Sequence, residues 1–207
     1  SSVRTEFTKP GQTTRAGDCP LQNVINTTAA NFTCTVVMWY FDAPNGWNMR
    51  VEAKDIGNGT LMNGTSTFTY GELKAMVISP SQISWASVSS GGTNQQANND
   101  PTTINNTGNY NGTVSLSAIS LKGETTSTEL IPASNFRVGP TSGVECFATA
   151  LVNSTNVAIS GSDSSPGNLS FGSGVGQETF YYCIAAVPAV SSQVYSTVNG
   201  GSWAILY

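Results

Sequence analysis

Apolar side chains recur at every second position in most hydrophobic segments of this chain, and this alternation limits the fold more than any other feature. It is typical of β-strands that bury one face. No window carries apolar residues at i, i+3, i+4 and i+7 over three turns, so helix should be scarce. We therefore predict an all-β fold, an immunoglobulin-like β-sandwich preceded by an extended N-terminal strand.

Turns rich in Gly, Asn and Pro separate the predicted strands. Asn45-Gly46 should close a hairpin between residues 35–42 and 47–56. Residues 179–187 (TFYYCIAAV) are the most apolar segment and should form a central strand. Residues 89–111 are polar and Asn-rich, and we prefer a long exposed loop there to a boundary between two halves. Further strands are expected at residues 66–70, 113–121, 129–138, 146–152 and 202–207.

The N-terminal segment stands apart from the rest. Val3, Thr5 and Phe7 share one face of an extended strand, and Pro10-Gly11 ends it. A strand at a chain terminus can pair within its own molecule, fray, or pair with another molecule. Added to a neighbour's sheet, it gains main-chain hydrogen bonds and pockets for alternate side chains. We divide the chain into an N-terminal extension, residues 1–14, and a β-sandwich head, residues 15–207.

The chain has four cysteines, and it begins at Ser1. We expect a mature secreted product whose leader has been removed; a trimmed chain is the alternative. An even number of cysteines in such a chain suggests two disulfides. Of the three possible pairings we favour Cys19–Cys34 and Cys146–Cys183, because each closes a short loop between neighbouring segments. Four free buried thiols are the alternative.

The charge content argues against catalysis. Only 10% of residues are Asp, Glu, Lys or Arg. The chain contains no histidine, which excludes Ser-His-Asp and Cys-His sites. A glycosidase pair could be drawn from Asp42, Glu52 and Asp55, but ordinary turn and surface carboxylates are the better interpretation. The spacing of the cysteines fits no metal motif, and Ser162-Asp163-Ser164 is too sparse for calcium. We expect no catalytic residue, metal or cofactor.

Other classes of partner are also disfavoured. The eight basic residues form no cluster that would bind nucleic acid. No run of 18 apolar residues could span a membrane. The four tryptophans, Trp39, Trp47, Trp85 and Trp203, could form a sugar-stacking platform, although a place in the core is the more usual one. Because carboxylates are few, folding should be nearly indifferent to pH from about 2 to 7.

Asn-x-Ser/Thr sequons are the best-supported functional motif. Asn58, Asn63, Asn105 and Asn111 lie in Gly-containing regions that we interpret as turns, where a glycan is sterically possible. Glycans would also compensate for the low surface charge. An Asn-rich coat without glycans is the alternative. We expect covalent N-glycans on most of the eight sites: Asn26, Asn31, Asn58, Asn63, Asn105, Asn111, Asn153 and Asn168.

These features together resemble the subunit of the archaeal thread filament, a pilin family of thermoacidophilic archaea. The resemblance covers the whole chain in composition and layout: the strand with Val3, Thr5 and Phe7, the cysteine-stapled and sequon-rich body, and the endings TFYYCIAAVPAV and SWAILY. The family is similar in architecture to chaperone-usher and type V pilins. It implies donor-strand complementation, in which each subunit's terminal strand fills a groove in the next.

The resemblance implies that Val3, Thr5 and Phe7 are donor-strand contacts, and we expect the acceptor groove near residues 179–187 and 203–207. The leading hypothesis is therefore an extracellular, glycosylated surface filament of identical subunits that supports adhesion or biofilm formation. The alternative is a secreted monomeric carbohydrate-binding or adhesive module. That alternative predicts an N-terminal strand paired within its own subunit.

Overall fold

The computed structural model describes residues 1–167 and 175–207, apart from the side chain of Thr65. The chain divides into two compact units. Unit 1 contains Ser1–Leu73 and Gly108–Tyr110, and unit 2 contains Lys74–Thr107 and Asn111–Tyr207. Regular structure in the described residues is almost entirely β, which confirms the predicted all-β class. Two 3-10 turns, Ala133–Asn135 and Glu145–Phe147, are the helical elements of this described part.

Unit 1 is built on a four-stranded antiparallel sheet with the strand order β2-β1-β5-β6. The first strand of the chain is therefore an inner strand. A separate hairpin, β3–β4, lies between the two halves of this sheet in the sequence. The strands of unit 1 are β1 (Ser2–Thr8), β2 (Arg15–Cys19), β3 (Leu21–Asn26), β4 (Ala29–Phe32), β5 (Asn45–Lys54) and β6 (Thr60–Tyr70).

Unit 2 contains a larger sheet in which β16 is central, with β13 on one side and β9 and β8 on the other. Two three-stranded sheets, β15-β10-β18 and β12-β11-β17, accompany it. Its strands are β7 (Met76–Ser79), β8 (Thr93–Gln96), β9 (Thr102–Asn106), β10 (Gly112–Ala118), β11 (Leu121–Gly123), β12 (Leu130–Ile131), β13 (Phe136–Gly139), β14 (Thr149–Ala150), β15 (Thr155–Ser164), β16 (Gln177–Ala186), β17 (Tyr195–Ser196) and β18 (Ala204–Leu206).

The core of unit 2 follows from period-two burial. Val114, Leu116 and Ala118 alternate inward from β10, because successive side chains of a strand point to opposite faces. Phe136 is fully buried and contacts two tryptophan rings edge-on, Trp85 at 5.4 Å and Trp203 at 5.0 Å between centroids. The central position predicted for residues 179–187 is confirmed by β16.

Two predicted strands and one predicted turn were wrong. Residues 35–42 are not a strand: Trp39 donates its backbone N–H to Asp42 Oδ2 at 2.7 Å, and Asp42 donates to the Trp39 carbonyl at 2.9 Å, which closes a turn. Asn45-Gly46 consequently begins β5 instead of closing a hairpin. Residues 146–152 form a 3-10 turn and the two-residue strand β14.

The predicted loop at residues 89–111 was also wrong, because it contains β8 and β9. The side chains of Thr102, Ile104 and Asn106 point inward from β9. Although its sequence is mostly polar, β9 is therefore a half-buried strand between β7 and β16. Residues 15–207 likewise do not form one head beside a separate extension. The first strand belongs to the sheet of unit 1, and the chain passes between the units at residues 73–74, 107–108 and 110–111.

Both favoured disulfides are present, Cys19–Cys34 in unit 1 and Cys146–Cys183 in unit 2. Each therefore staples one unit internally. Within residues 1–167 and 175–207, no helix has the length and hydrophobicity needed to cross a membrane.

Candidate functional site: the slot of the first strand and an apolar groove

Strand β1 occupies a slot between β2 and β5, and it pairs with both. The antiparallel register places Thr5 opposite Gly17 on one side and Val51 on the other. Pairing extends over residues 3–7 with β2 and residues 2–8 with β5. The backbone of β1 is thus held along both edges.

The outer face of the slot is matched in charge. Arg4 lies opposite Glu52, and Glu6 lies opposite Arg50, on neighbouring strands. Opposite charges directly across a sheet are favourable, whereas like charges are not. A shift of two residues would place Arg4 opposite Arg50 or Lys54. In a chain with few charges, this arrangement makes the slot specific for β1 in one register.

The inner face carries the three residues predicted as donor-strand contacts. Thr5 is 1% exposed, and its hydroxyl donates to the Arg50 carbonyl at 3.2 Å. Phe7 packs against Phe68 with ring centroids 4.7 Å apart, and Val3 is half-buried. Both edges of β1 have partners within unit 1, so this strand pairs within its own chain, as the monomeric alternative predicts, and the donor role of Val3, Thr5 and Phe7 stays a prediction.

A loop of six residues, 9–14, joins β1 to β2. Gln12 donates its N–H to the Lys9 carbonyl at 3.0 Å, and Gly11 adopts a φ of 75°, a left-handed conformation that glycine tolerates. Six extended residues span roughly 20 Å, whereas adjacent strands lie about 4.8 Å apart. The loop is therefore long enough to open.

Unit 2 contains an open groove of 1380 Å³ between residues 78–90 and 190–205. Its floor exposes core side chains, among them Leu116, Ile131 and Ile184. Among the described residues that line it, none is charged, and serine is frequent along the rim. Small-molecule pockets usually measure about 300–1,000 Å³, so the groove is large for a small ligand.

One wall of the groove is fixed by a single carboxylate. Oε2 of Glu129 accepts hydrogen bonds from the Ser191 N–H at 3.0 Å, the Ser191 hydroxyl at 2.5 Å, the Gln193 amide at 2.8 Å and the Tyr195 hydroxyl at 2.7 Å. The Ser191 hydroxyl is the main reason why the pKa of Glu129 falls to about 2, with Tyr195 next. The carboxylate thus ties residues 191–195 to β12.

Three of the four tryptophans, Trp47, Trp85 and Trp203, have structural places in the described part of the chain, whereas Trp39 is half-buried and stacks on Phe41 with ring centroids 6.2 Å apart. Trp47 is fully buried in unit 1 and donates Nε1–H to the Ala43 carbonyl at 2.9 Å. Trp85 and Trp203 pack on the core of unit 2, and each indole N–H already donates to a backbone carbonyl, Gln95 at 3.0 Å and Ile119 at 2.9 Å. Their role is structural, and both flank the groove.

The expected acceptor segments do line an open groove. Tyr182, Ile184 and Val187 come from the first segment, and Trp203 and Ile205 from the second. The described lining of this groove carries no charge, however, and offers no counterparts for Arg4 and Glu6. The slot that is complementary to β1 lies instead between β2 and β5.

Six of the eight sequon asparagines are exposed: Asn26, Asn31, Asn58, Asn63, Asn111 and Asn153. Asn105 differs, because it is half-buried in β9 and its Oδ1 accepts a hydrogen bond from the Gln177 amide at 2.6 Å. Asn63 and Asn105 lie in strands and not in the turns we expected. Asn168 lies outside the described residues.

The three candidate glycosidase carboxylates have structural partners. Asp42 is nearly buried and pairs with Arg15 at 2.5 Å. Glu52 belongs to the charged face of the slot, 3.1 Å from Lys54 Nζ. Asp55 Oδ1 accepts the N–H groups of Gly57 and Gly59, both at 2.8 Å, in the β5–β6 turn. Each of the three carboxylates therefore takes part in a structural contact.

Sequence reasoning missed two features. The first is the Glu129 cluster, whose members are 62 to 66 residues apart and share no local motif. The second is the exposed hairpin β3–β4, which an alternating pattern would not reveal because all six residues of β3 are exposed. No protein-family model matches the chain, and neither a curated protein nor a solved structure does.

Proposed function

We propose that this protein is a structural subunit of an extracellular, N-glycosylated surface filament that supports adhesion or biofilm formation. Its copies join head to tail by exchanging β1, which leaves its own slot and enters the slot between β2 and β5 of the next copy. The observation that carries the proposal is the position of β1: the first strand of the chain is an inner strand of a charge-matched sheet.

Exchange preserves every contact of the strand. In the next copy β1 meets the same β2 and β5, so the same ladders and charge pairs form again. The balance between the closed and exchanged forms then depends on the strain of the loop at residues 9–14 and on protein concentration. The free energy required to begin exchange is that of opening the two ladders.

The contact is heterologous, because the strand of one copy meets the slot of another. Such contacts form open chains unless the rotation between copies closes a ring. The loop also limits the geometry: the donor's β2 must begin within roughly 20 Å of the acceptor's slot. Successive copies of unit 1 are therefore close neighbours in the proposed filament.

Two features support an extracellular location. Each unit contains a disulfide, which is typical of oxidising compartments outside the cytoplasm. Six exposed sequon asparagines could carry glycans on a surface with few charges.

The second candidate is a secreted monomeric adhesive module. It is favoured by the closed position of β1 within its own chain, which that hypothesis predicts. The two candidates differ in one property: the monomeric module keeps β1 closed at every concentration, whereas the filament subunit exchanges it.

Deletion of residues 1–9 tests the proposal by negative-stain electron microscopy. We expect filaments from the intact chain and none from the truncated chain. Phe7→Asp should also prevent filaments, because it places a charge against Phe68. Ile56→Asp is the matched control and should retain them, because Ile56 is an exposed apolar residue in the β5–β6 turn outside the slot. Amide hydrogen exchange in β16 reports whether unit 2 remains folded. Filaments that survive the deletion, or an intact chain that stays monomeric, would contradict the proposal.

A further inference from the structure

The hairpin β3–β4 in unit 1 is an exposed apolar projection. Leu21, Val24 and Ile25 are 52%, 64% and 57% exposed. In the described part of the chain the hairpin pairs only with itself, and the disulfide Cys19–Cys34 closes its base. An isolated two-stranded hairpin is marginally stable in water, so a partner surface would stabilise it.

The hairpin and the groove of unit 2 have matching chemistry. Residues 21–32 (LQNVINTTAANF) contain no charged side chain, and none is found among the described groove residues. The groove floor is aliphatic, and serines along its rim can pair with asparagine side chains of the hairpin. Contact between the two surfaces would therefore bury no charge among the described residues.

We propose that the β3–β4 hairpin of one copy docks into the unit 2 groove of a second copy. This contact is distinct from the exchange of β1 and adds a second link between copies. It is also heterologous, because the hairpin of one copy meets a different surface on the other.

Two other occupants fit less well. Strand β1 would bring Arg4 and Glu6 into a groove without counter-charges. A neutral oligosaccharide would need free aromatic faces and donors, but Trp85 and Trp203 pack on Phe136 and their N–H groups are engaged.

The proposal constrains the glycans. Asn26 lies at the hairpin turn, where its Oδ1 accepts from the Thr28 N–H at 2.8 Å, and Asn31 lies in β4. A glycan on either residue would block entry into the groove. Docked copies must therefore be unmodified at these two positions, although the other exposed sequons can be occupied.

Site-specific photo-crosslinking in the full-length protein tests the contact. A benzophenone amino acid is placed at Val24, and at Leu61 as a matched control, because Leu61 is an exposed apolar residue of unit 1 outside the hairpin. We expect position 24 to crosslink to residues 78–90 or 190–205 of a second copy, and position 61 not to do so. Crosslinks from position 24 to other regions, or none between copies, would overturn the proposal.

A groove variant provides a second readout. Val194→Asp charges the groove rim, and Val152→Asp is the matched control, because both valines are exposed and only Val194 lines the groove. We expect Val194→Asp to lower the yield of the position-24 crosslink at least tenfold and Val152→Asp to change it less than threefold. Equal effects would overturn the proposal. Added neutral oligosaccharide that suppresses the crosslink equally would instead assign the groove to sugar.

The failures of the two proposals can be told apart. Loss of β1 exchange removes filaments but leaves the position-24 crosslink between copies. Loss of the hairpin contact removes that crosslink but leaves the exchanged strand.

Discussion

The hydroxyl of Tyr195 donates a hydrogen bond to Oε2 of Glu129 at 2.7 Å. The same carboxylate oxygen also accepts hydrogen bonds from Ser191 and Gln193. Gln193 extends the connection, because its Oε1 accepts the N–H groups of Thr125 and Thr126 at 3.0 and 2.8 Å. One wall of the groove is thus held by a carboxylate with four donors.

Glu129→Gln should loosen this wall. The neutral amide is a weaker acceptor than the carboxylate and brings its own N–H group toward donors. We expect amide hydrogen exchange at residues 191–196 to accelerate about tenfold while exchange in β16 stays unchanged. Glu124→Gln, an exposed neighbour, is the control. The prediction fails if both variants behave alike.

The same carboxylate predicts how the wall responds to acid. Its folded-state pKa of about 2 is below the ordinary value of 4.5, so its stabilisation is fully present above about pH 4.5 and is lost as the pH falls through 2. Exchange at residues 191–196, after correction for intrinsic rates, should therefore be slow above about pH 4.5 and accelerate progressively as the pH falls from 4.5 to 2.

The carboxyl of Asp100 in unit 2 predicts the opposite response to pH, a stability that falls as the pH rises. Burial, aided by the charge of Glu145 and opposed by the Tyr182 N–H, raises its pKa from 3.8 to about 6. The folded form retains a proton between about pH 4 and 6 that the unfolded form releases, so stability falls as the pH rises through this window.

Discounted for solvent screening, the effect of Asp100 is on the order of 1 kcal/mol, or ~2–4 °C in Tm. We expect a higher Tm at pH 4 than at pH 7, and a smaller difference in Asp100→Asn. Glu72→Gln, at an exposed position, should keep the wild-type difference. A thermal scan that shows the same pH dependence in all three proteins would contradict the assignment. This response qualifies the near indifference to pH that the low carboxylate content predicts.

Phe136→Ala should destabilise unit 2 by about 3–5 kcal/mol, because it opens a cavity between two tryptophan rings. Phe147, which is 81% exposed, is the matched control, and its replacement by alanine should change stability by less than about 0.5 kcal/mol. Urea unfolding followed by tryptophan fluorescence measures both values. Equal losses in the free energy of unfolding for the two variants would show that Phe136 does not stabilise the core.

Asn105 and Asn111 form a natural pair for testing glycan placement. Both carry a sequon, but Asn105 is half-buried and bonded to Gln177, whereas Asn111 is exposed. We expect glycopeptide mass spectrometry of protein from its native source to find a glycan at Asn111 and none at Asn105. A glycan at Asn105, or no glycan at Asn111, would contradict the claim that burial decides which sequons are glycosylated.

Local patterns predicted the all-β class, both disulfides and the central strand β16, because each depends on residue types and short separations. Residues 35–42 misled the prediction because the Asp42 side chain overrides their β propensity. Residues 102–106 misled it because buried Thr and Asn resemble a loop. The slot of β1 could not be predicted, since it joins Thr5 to residues about 45 positions away. Open grooves depend on how whole sheets pack.

Crosslinking across the slot tests the central claim most directly. Arg4 and Glu52 lie opposite each other, so a short bismaleimide should join cysteines in Arg4→Cys/Glu52→Cys, while Glu6 and Arg50 maintain the register. Glu52→Cys/Met62→Cys is the control, because β5 and β6 are adjacent strands joined by a short turn. At filament-forming concentration, denaturing gels should show a ladder of crosslinked copies for the first pair and only monomer for the control. Monomer alone for both pairs would mean that β1 never leaves its own chain, and the filament account would be wrong.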